Sequence, residues 1–416
     1  MNGATRVTFV VWRKNYYRVM GPVVDAALKR GWDVECWHDY SQAREGMKSS
    51  EFPDAVPTFR WGTPKVVEYR GEGDLVALLN ARPPDAVVAI TPRPAALKTT
   101  VRWVGLHYMT NYVHPPEPLG IFSSDLVAGY SRFWLEQAVE YFRETGALRD
   151  GDAKTEQEIA RRFATVGVPE LDQVEAIEPR AVRERLGLPA ERPVVLFLPY
   201  PTMSNPQTFW LRHVYAPTSR IRRALAVVAT RRFEYWRHVS SDWNDRRLVE
   251  ALCAFCDAND DAVLVVKSRL KEGRVPRYIS SRADLVLYDP SHYPATILEL
   301  LSIASLCVHF FSSTVYESVF LGVPSLCVAP SADDMGLWQW SRGLYNLREG
   351  ESYNVPGASY FMPLPEAFDA LPRAHLKDFP MDPTSRAHFV RKFLGFDDTR
   401  SSERFLDLVA AKGVEP

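Results

Sequence analysis

Between Leu306 and Ala329 the chain reads Leu-Cys-Val-His-Phe-Phe, then Ser312-Ser313-Thr314, a helical period closed by Gly322 and Pro324, and a second apolar run from Ser325. An apolar run that short, bounded by turn residues, is a buried strand, and the whole stretch spells one strand–turn–helix–strand unit of a parallel sheet. The turn is expected to leave several N–H groups unpaired at the helix start, beside hydroxyl donors. That arrangement favours a phosphate or pyrophosphate. A second reading stands beside it, in which Thr314 and Glu317 form a T-x-x-E capping box and nothing more.

The rest of the chain repeats the pattern. Strands are expected at Val7–Trp12, Asp33–Trp37, Asp85–Ile90, Arg102–Leu106 and Asp125–Gly129, with helices at Tyr17–Arg30, Asp74–Ala81 and Phe133–Phe142. A second series follows at Val194–Leu198, Ala262–Val266, Asp284–Tyr288, Leu306–Phe310 and Ser325–Val328. Strands separated by helical crossovers define an α/β chain of two Rossmann-like, doubly wound parallel sheets facing a cleft. The expected organisation is an N-terminal domain over 1–178 and a second domain over 179–385. A helical insertion is expected at 203–243, and further helices at 386–416. No G-x-G-x-x-G follows any strand, which argues against a dinucleotide oxidoreductase.

Charge and cysteine usage narrow the class. With 50 Lys plus Arg against 51 Asp plus Glu, the chain lacks the basic excess of a nucleic-acid binder. The odd count of 5 scattered cysteines gives no disulfide framework and points to a reducing compartment. Cys253 and Cys256 lie on an apolar helical face with Leu248, Leu252 and Phe255, without a second ligand pair, so a packing role outweighs a metal site. The first apolar run is too short for a signal peptide and is followed by Arg13 and Lys14. No run approaches the ~18 apolar residues of a membrane span. A cytoplasmic protein is expected, and one segment invites peripheral contact with the inner face of a membrane. Residues 211–238 hold seven arginines and one acidic residue among Tyr215, Phe233, Tyr235 and Trp236. A helical pair packed on the sheet, with its arginines in solvent, accounts for the same pattern and is preferred, because Ala224–Ala229 suits tight packing.

Ser312-Ser313-Thr314-Val315-Tyr316-Glu317 followed by Leu321-Gly322-Val323-Pro324 resembles the donor-binding segment of GT-B nucleotide-sugar glycosyltransferases. More narrowly it resembles the CDP-glycerol glycerophosphotransferases that build teichoic-acid-like and capsule polymers, with Phe311 where that family has tyrosine. Further pieces follow in the family's order. Val104-Gly-Leu-His-Tyr108 stands at its strand-terminal Trp-His-Gly, and Ser123–Ser131 at the strand and serine before its acceptor-side helix. Val166–Asp172 stands at its Gly-Tyr-Pro-Arg-Asn-Asp, and Phe396–Arg404 at its Asp-Gly-x-Ser-Ser-x-Arg. At Val265–Arg269 the family's Lys-x-His-Pro keeps only Lys267.

The resemblance implies a transferase that moves a sugar or polyol-phosphate unit from a CDP- or UDP-linked donor to a hydroxyl of a cell-surface polysaccharide or lipid-linked precursor. It implies His107 as general base, Ser312, Ser313 and Thr314 with Lys267 on the donor phosphates, and Glu317 on the ribose hydroxyls. Arg269 or His292 would substitute for the missing family histidine. An imidazole has a suitable pKa range for a base, and hydroxyls with a cation suit a leaving phosphate. No Asp-x-Asp stands at a strand end, so a metal-independent reaction without a separate cofactor is expected. A UDP-sugar 2-epimerase of the same architecture, or a degenerate binding protein, are the alternatives.

Overall fold

A computed structural model gives the structure, which describes residues 4–41, 52–108, 120–144, 146, 148, 153–199, 245–269, 275, 277–289, 292–329 and 347–411. The insertion expected at 203–243, and with it the arginine-rich 211–238, lies outside the described residues. The chain divides into two compact units: Met1–Ile177 with Ser291–Leu298 and Ala387–Pro416, and Glu178–Pro290 with Glu299–Arg386.

The first unit is built on seven strands: β1 (Arg6–Val11), β2 (Asp33–Asp39), β3 (Lys65–Tyr69), β4 (Ala86–Ala89), β5 (Arg102–Leu106), β6 (Leu126–Gly129) and β7 (Phe163–Thr165). They lie in the order β3-β2-β1-β4-β5-β6-β7, and each neighbouring pair is parallel. The second unit carries β8 (Val194–Leu198), β9 (Val263–Arg269), β10 (Leu285–Asp289), β11 (Leu306–His309), β12 (Ser325–Ala329) and β13 (Ser359–Pro363). Their order is β10-β9-β8-β11-β12-β13, again parallel throughout. Each sheet starts from its own first strand, winds one way for three strands and reverses, which is the doubly wound arrangement. The two-sheet α/β architecture expected from the alternating pattern is therefore the architecture found.

Helices cover both faces of the first sheet, which explains why its inner strands read as unbroken apolar runs. On one face the helix Tyr17–Lys29 buries Val19, Met20, Val23, Val24 and Ala27 with Val7, Phe9 and Val11 of β1. Phe405, Leu406 and Val409 of the helix Ser401–Ala410 join the same core. On the other face Trp37 and Trp103 pack with Leu75 and Leu79 of the helix Gly71–Ala81. In the second unit Leu248, Leu252 and Phe255 of the helix Asp245–Asp257 cover Val195, Phe197, Val266 and Val308.

Two segments singled out in the sequence, 166–172 and 396–404, meet in the first unit. The Asp172 carboxylate accepts the backbone N–H groups of Ser401 at 3.0 Å and Ser402 at 2.6 Å, at the start of the last helix. Arg404 donates to the Val166 carbonyl at 2.9 Å and grips Asp398 through both terminal nitrogens. Gly167 has a φ of +89°, and a Cβ there would lie 2.5 Å from Ser401 Oγ, so the close approach needs glycine.

Candidate functional site

Ligands of doubly wound sheets sit beyond the carboxyl ends of the strands, and at that edge of the second sheet β11 ends in an unusual turn. His309 closes the strand, and Phe311 takes a φ of +45°, uncommon for a bulky residue. The turn is held from inside. Ser312 N–H donates to His309 Nδ1 at 3.2 Å, and Ser312 Oγ donates to Thr314 Oγ1 at 2.9 Å. The Phe311 ring meets Tyr353 edge-on at 5.7 Å.

This wiring corrects the expectation of several unpaired N–H groups. Thr314 N–H goes to Ser312 Oγ, Val315 N–H to the Ser312 carbonyl and Tyr316 N–H to the Ser313 carbonyl. The helix is the short span Thr314–Phe320, capped by the backbone of Ser313 without a side-chain hydrogen bond. Thr314 is thus its first residue rather than its cap, so Thr314 and Glu317 do not form the capping box. What the turn offers a ligand is hydroxyl groups, those of the half-buried Ser312 and Ser313.

His309 is the residue of this turn that the sequence pattern does not single out. It is buried, 1% exposed, and burial pushes its pKa down to about 3. The ring is neutral. Because Nδ1 accepts from Ser312, the proton sits on Nε2, which reaches Ser325 Oγ at 2.8 Å. One imidazole therefore ties the turn to the first residue of the next strand. A histidine three residues before the Ser312-Ser313 pair, with serine opening the next apolar run, was the available signal.

Lys267 stands at the same level of the sheet. Val266 pairs with Phe197 and Leu198 with His309, so one further step along β9 brings Lys267 level with His309, two strands away. Two strand spacings make that roughly 10 Å. Arg269 follows two residues on, on the same face, at the end of β9. Glu317 is buried, 3% exposed. Its carboxylate lies near Cys307, whose thiol is pushed well up by burial first and by that carboxylate second. The second unit thus gathers Lys267, Arg269, Ser312, Ser313 and Thr314 at one sheet edge, with Glu317 sunk behind them. His292 falls in the Ser291–Leu298 segment, which packs with the first unit.

In the first unit His107 directly follows β5 and is fully buried. Its backbone N–H donates to the Ala128 carbonyl at 2.9 Å, and its Nδ1 accepts the Tyr130 N–H at 3.3 Å. The ring stacks on Tyr130 at 3.9 Å and meets Trp134 edge-on at 5.3 Å. With Nδ1 accepting, the proton belongs on Nε2. Two carboxylates near the same elements are committed elsewhere: Asp125 to Arg93 and to Trp103 N–H, each at 2.7 Å, and Asp172 to the last helix.

No known protein-family profile matches the chain, and no curated protein matches it. Solved structures do. The wall teichoic acid polymerase TagF is 16% identical, with 97% of this chain and 88% of that one covered and a TM-score of 0.55. Its H548A variant gives 13% identity, the same coverage and a TM-score of 0.57. The UDP-GlcNAc 2-epimerase from Neisseria meningitidis, solved with UDP-GlcNAc bound, is 10% identical, with 97% and 99% covered and a TM-score of 0.52. The chain has the GT-B fold that these enzymes share. At such identities the likeness is one of fold.

Proposed function

We propose that this chain is a GT-B transferase that moves a sugar or polyol-phosphate unit from a nucleotide-activated donor to a hydroxyl of a cell-surface polysaccharide or lipid-linked precursor. The observation that carries the reading is the Ser312–Thr314 turn. Hydroxyls are presented at the carboxyl edge of a doubly wound sheet, with Lys267 level with the end of β11.

In this reading Ser312, Ser313 and Thr314 hold the donor phosphates, and Lys267 and Arg269 neutralise the charge that grows on the leaving nucleotide. No metal is required, so a chelator should leave turnover unchanged. Glu317 takes the ribose hydroxyls, which have to reach a carboxylate set back from the edge. His107 takes the proton of the acceptor hydroxyl. To act as a base it must adopt the Nδ1–H tautomer and give up the Tyr130 contact, freeing the Nε2 lone pair. The reaction is placed in the cytoplasm, at the inner face of the membrane.

The epimerase reading is kept alive by the likeness to the N. meningitidis enzyme over nearly the whole of both chains. Incubation with CDP- and UDP-linked donors, with and without a glycan acceptor, separates the two. Release of nucleotide that requires acceptor supports transfer; isomerisation of the donor without acceptor supports the epimerase; neither with any donor removes both. For the base, His107→Ala should lower turnover by about a hundredfold to ten-thousandfold and leave donor affinity unchanged. Near-parental turnover would return His107 to a purely packing role.

A further inference from the structure

Large hydrophobic side chains are hidden almost everywhere among the described residues; Trp61, 50% exposed, and Val66, 43% exposed, are the exceptions. Both belong to the segment around β3, the edge strand of the first sheet. The Trp61 backbone is fixed: Asp25 Oδ1 accepts the N–H of Arg60 at 2.8 Å and of Trp61 at 3.1 Å, and Asp25 Oδ2 accepts the Tyr293 hydroxyl at 3.0 Å. The indole is thus presented to solvent from a turn anchored on the helix Tyr17–Lys29.

Two cations attend it. Lys29 Nζ lies over the Trp61 ring at 5.5 Å and Arg60 Cζ at 5.6 Å. Neither makes an ion pair among the described residues, whereas their neighbour Arg30 is taken up by Asp407 at 2.8 Å. A rigid, half-exposed indole flanked by two spare positive charges is a binding surface for something both anionic and amphipathic. A stacked sugar needs an open ring face, and the cations lie over the ring. What remains is the indole edge with charges beside it, which is how tryptophan and basic residues sit at the headgroup level of a bilayer.

We propose that the face of the first unit around Trp61, with Lys29 and Arg60, docks on an anionic lipid surface. The indole enters the headgroup zone and the two cations meet lipid phosphates. This docking face is independent of the donor chemistry at Ser312 and of residues 211–238.

Co-sedimentation of the full chain with vesicles of phosphatidylglycerol and phosphatidylcholine, against phosphatidylcholine alone, tests it at low salt, where such attraction is greatest. The parent chain should bind the anionic vesicles and not the neutral ones. Trp61→Ala should weaken binding on the order of tenfold, and Trp61→Tyr should retain most of it, since tyrosine also suits the interface. Neutralising Lys29→Gln and Arg60→Gln should cost about fivefold each, with unchanged melting temperatures. The proposal is overturned if the parent ignores anionic vesicles, if it binds neutral ones equally, or if folded Trp61→Ala and the double glutamine variant sediment like the parent.

Discussion

Ser312 gives its backbone N–H to Nδ1 of His309, and the same ring reaches Ser325 across to the next strand. The turn proposed to hold the donor phosphates is therefore shaped by a buried, uncharged imidazole at the end of β11. A ring buried behind the turn sets where the two serine hydroxyls stand.

His309→Ala should lower stability by about 1–3 kcal/mol, because it opens a buried space and leaves two hydrogen-bonding groups without their partner. It should also weaken nucleotide binding several-fold. A variant that melts earlier but binds nucleotide as the parent does would show that His309 supports the fold without positioning the site.

Acid should weaken the fold through two buried histidines. Burial holds His309 at about 3 and His38 at about 4, below the ordinary histidine value of 6.5. The unfolded chain therefore binds more protons than the folded one between those values and about 6.5. Stability from these two groups is complete above that pH and is lost as pH falls, on the order of 1 kcal/mol per unit for each. Asp172 works the other way: burial raises it to about 6, so its contribution favours the fold as pH drops from about 6 to 4. Two histidines against one aspartate leave a net loss on acidification. Melting temperature measured from pH 7 to pH 4 should fall, and His309→Asn should flatten the slope; a rise toward pH 4 would contradict both assignments.

Asp172→Ala should cost about 1–2 kcal/mol, the usual worth of a helix cap, since it strands the Ser401 and Ser402 N–H groups. Nucleotide affinity should not change, because the cap belongs to the first unit. Denaturant unfolding and nucleotide titration on the same sample check both halves, and lost affinity in a folded variant would count against the separation.

The inner strands were legible, as was the edge strand β10, and the other three edge strands were not. Val194–Leu198 and Arg102–Leu106 match their expected limits because a strand covered on both faces must be apolar along its length. β3, β7 and β13 were absent from the sequence reading, and all three are sheet edges. Lys65-Val-Val-Glu-Tyr69 mixes two charged residues with only three apolar or aromatic ones and is largely exposed, as an edge permits, which leaves no apolar run to find. At the site, residue types and order pointed to the Ser312 turn, but hydrogen-bond direction was hidden. Nothing in the pattern said that His309 would take the Ser312 N–H, or that the turn would close its own N–H groups. The burial of Glu317 was equally hidden, because all seven residues of the helix Thr314–Phe320 are buried and its polar side chains mark no solvent face.

Glu317→Gln should weaken nucleotide binding while the protein stays folded, since glutamine matches the shape of the buried side chain and removes the charge that ribose hydroxyls would meet. A variant that unfolds but, where folded, binds as tightly as the parent would make Glu317 a packing residue near Cys307.

The most direct measurement is calorimetric titration of the parent chain with CMP, CDP, UDP, GDP and their sugar or glycerol conjugates, repeated on Ser313→Ala and Lys267→Met. The account predicts that at least one nucleoside diphosphate or its conjugate binds. It also predicts that each substitution weakens that ligand by about tenfold, with melting temperature in the absence of nucleotide unchanged. Absence of binding by every nucleotide, or binding that neither substitution alters, would contradict a donor site at the Ser312–Thr314 turn.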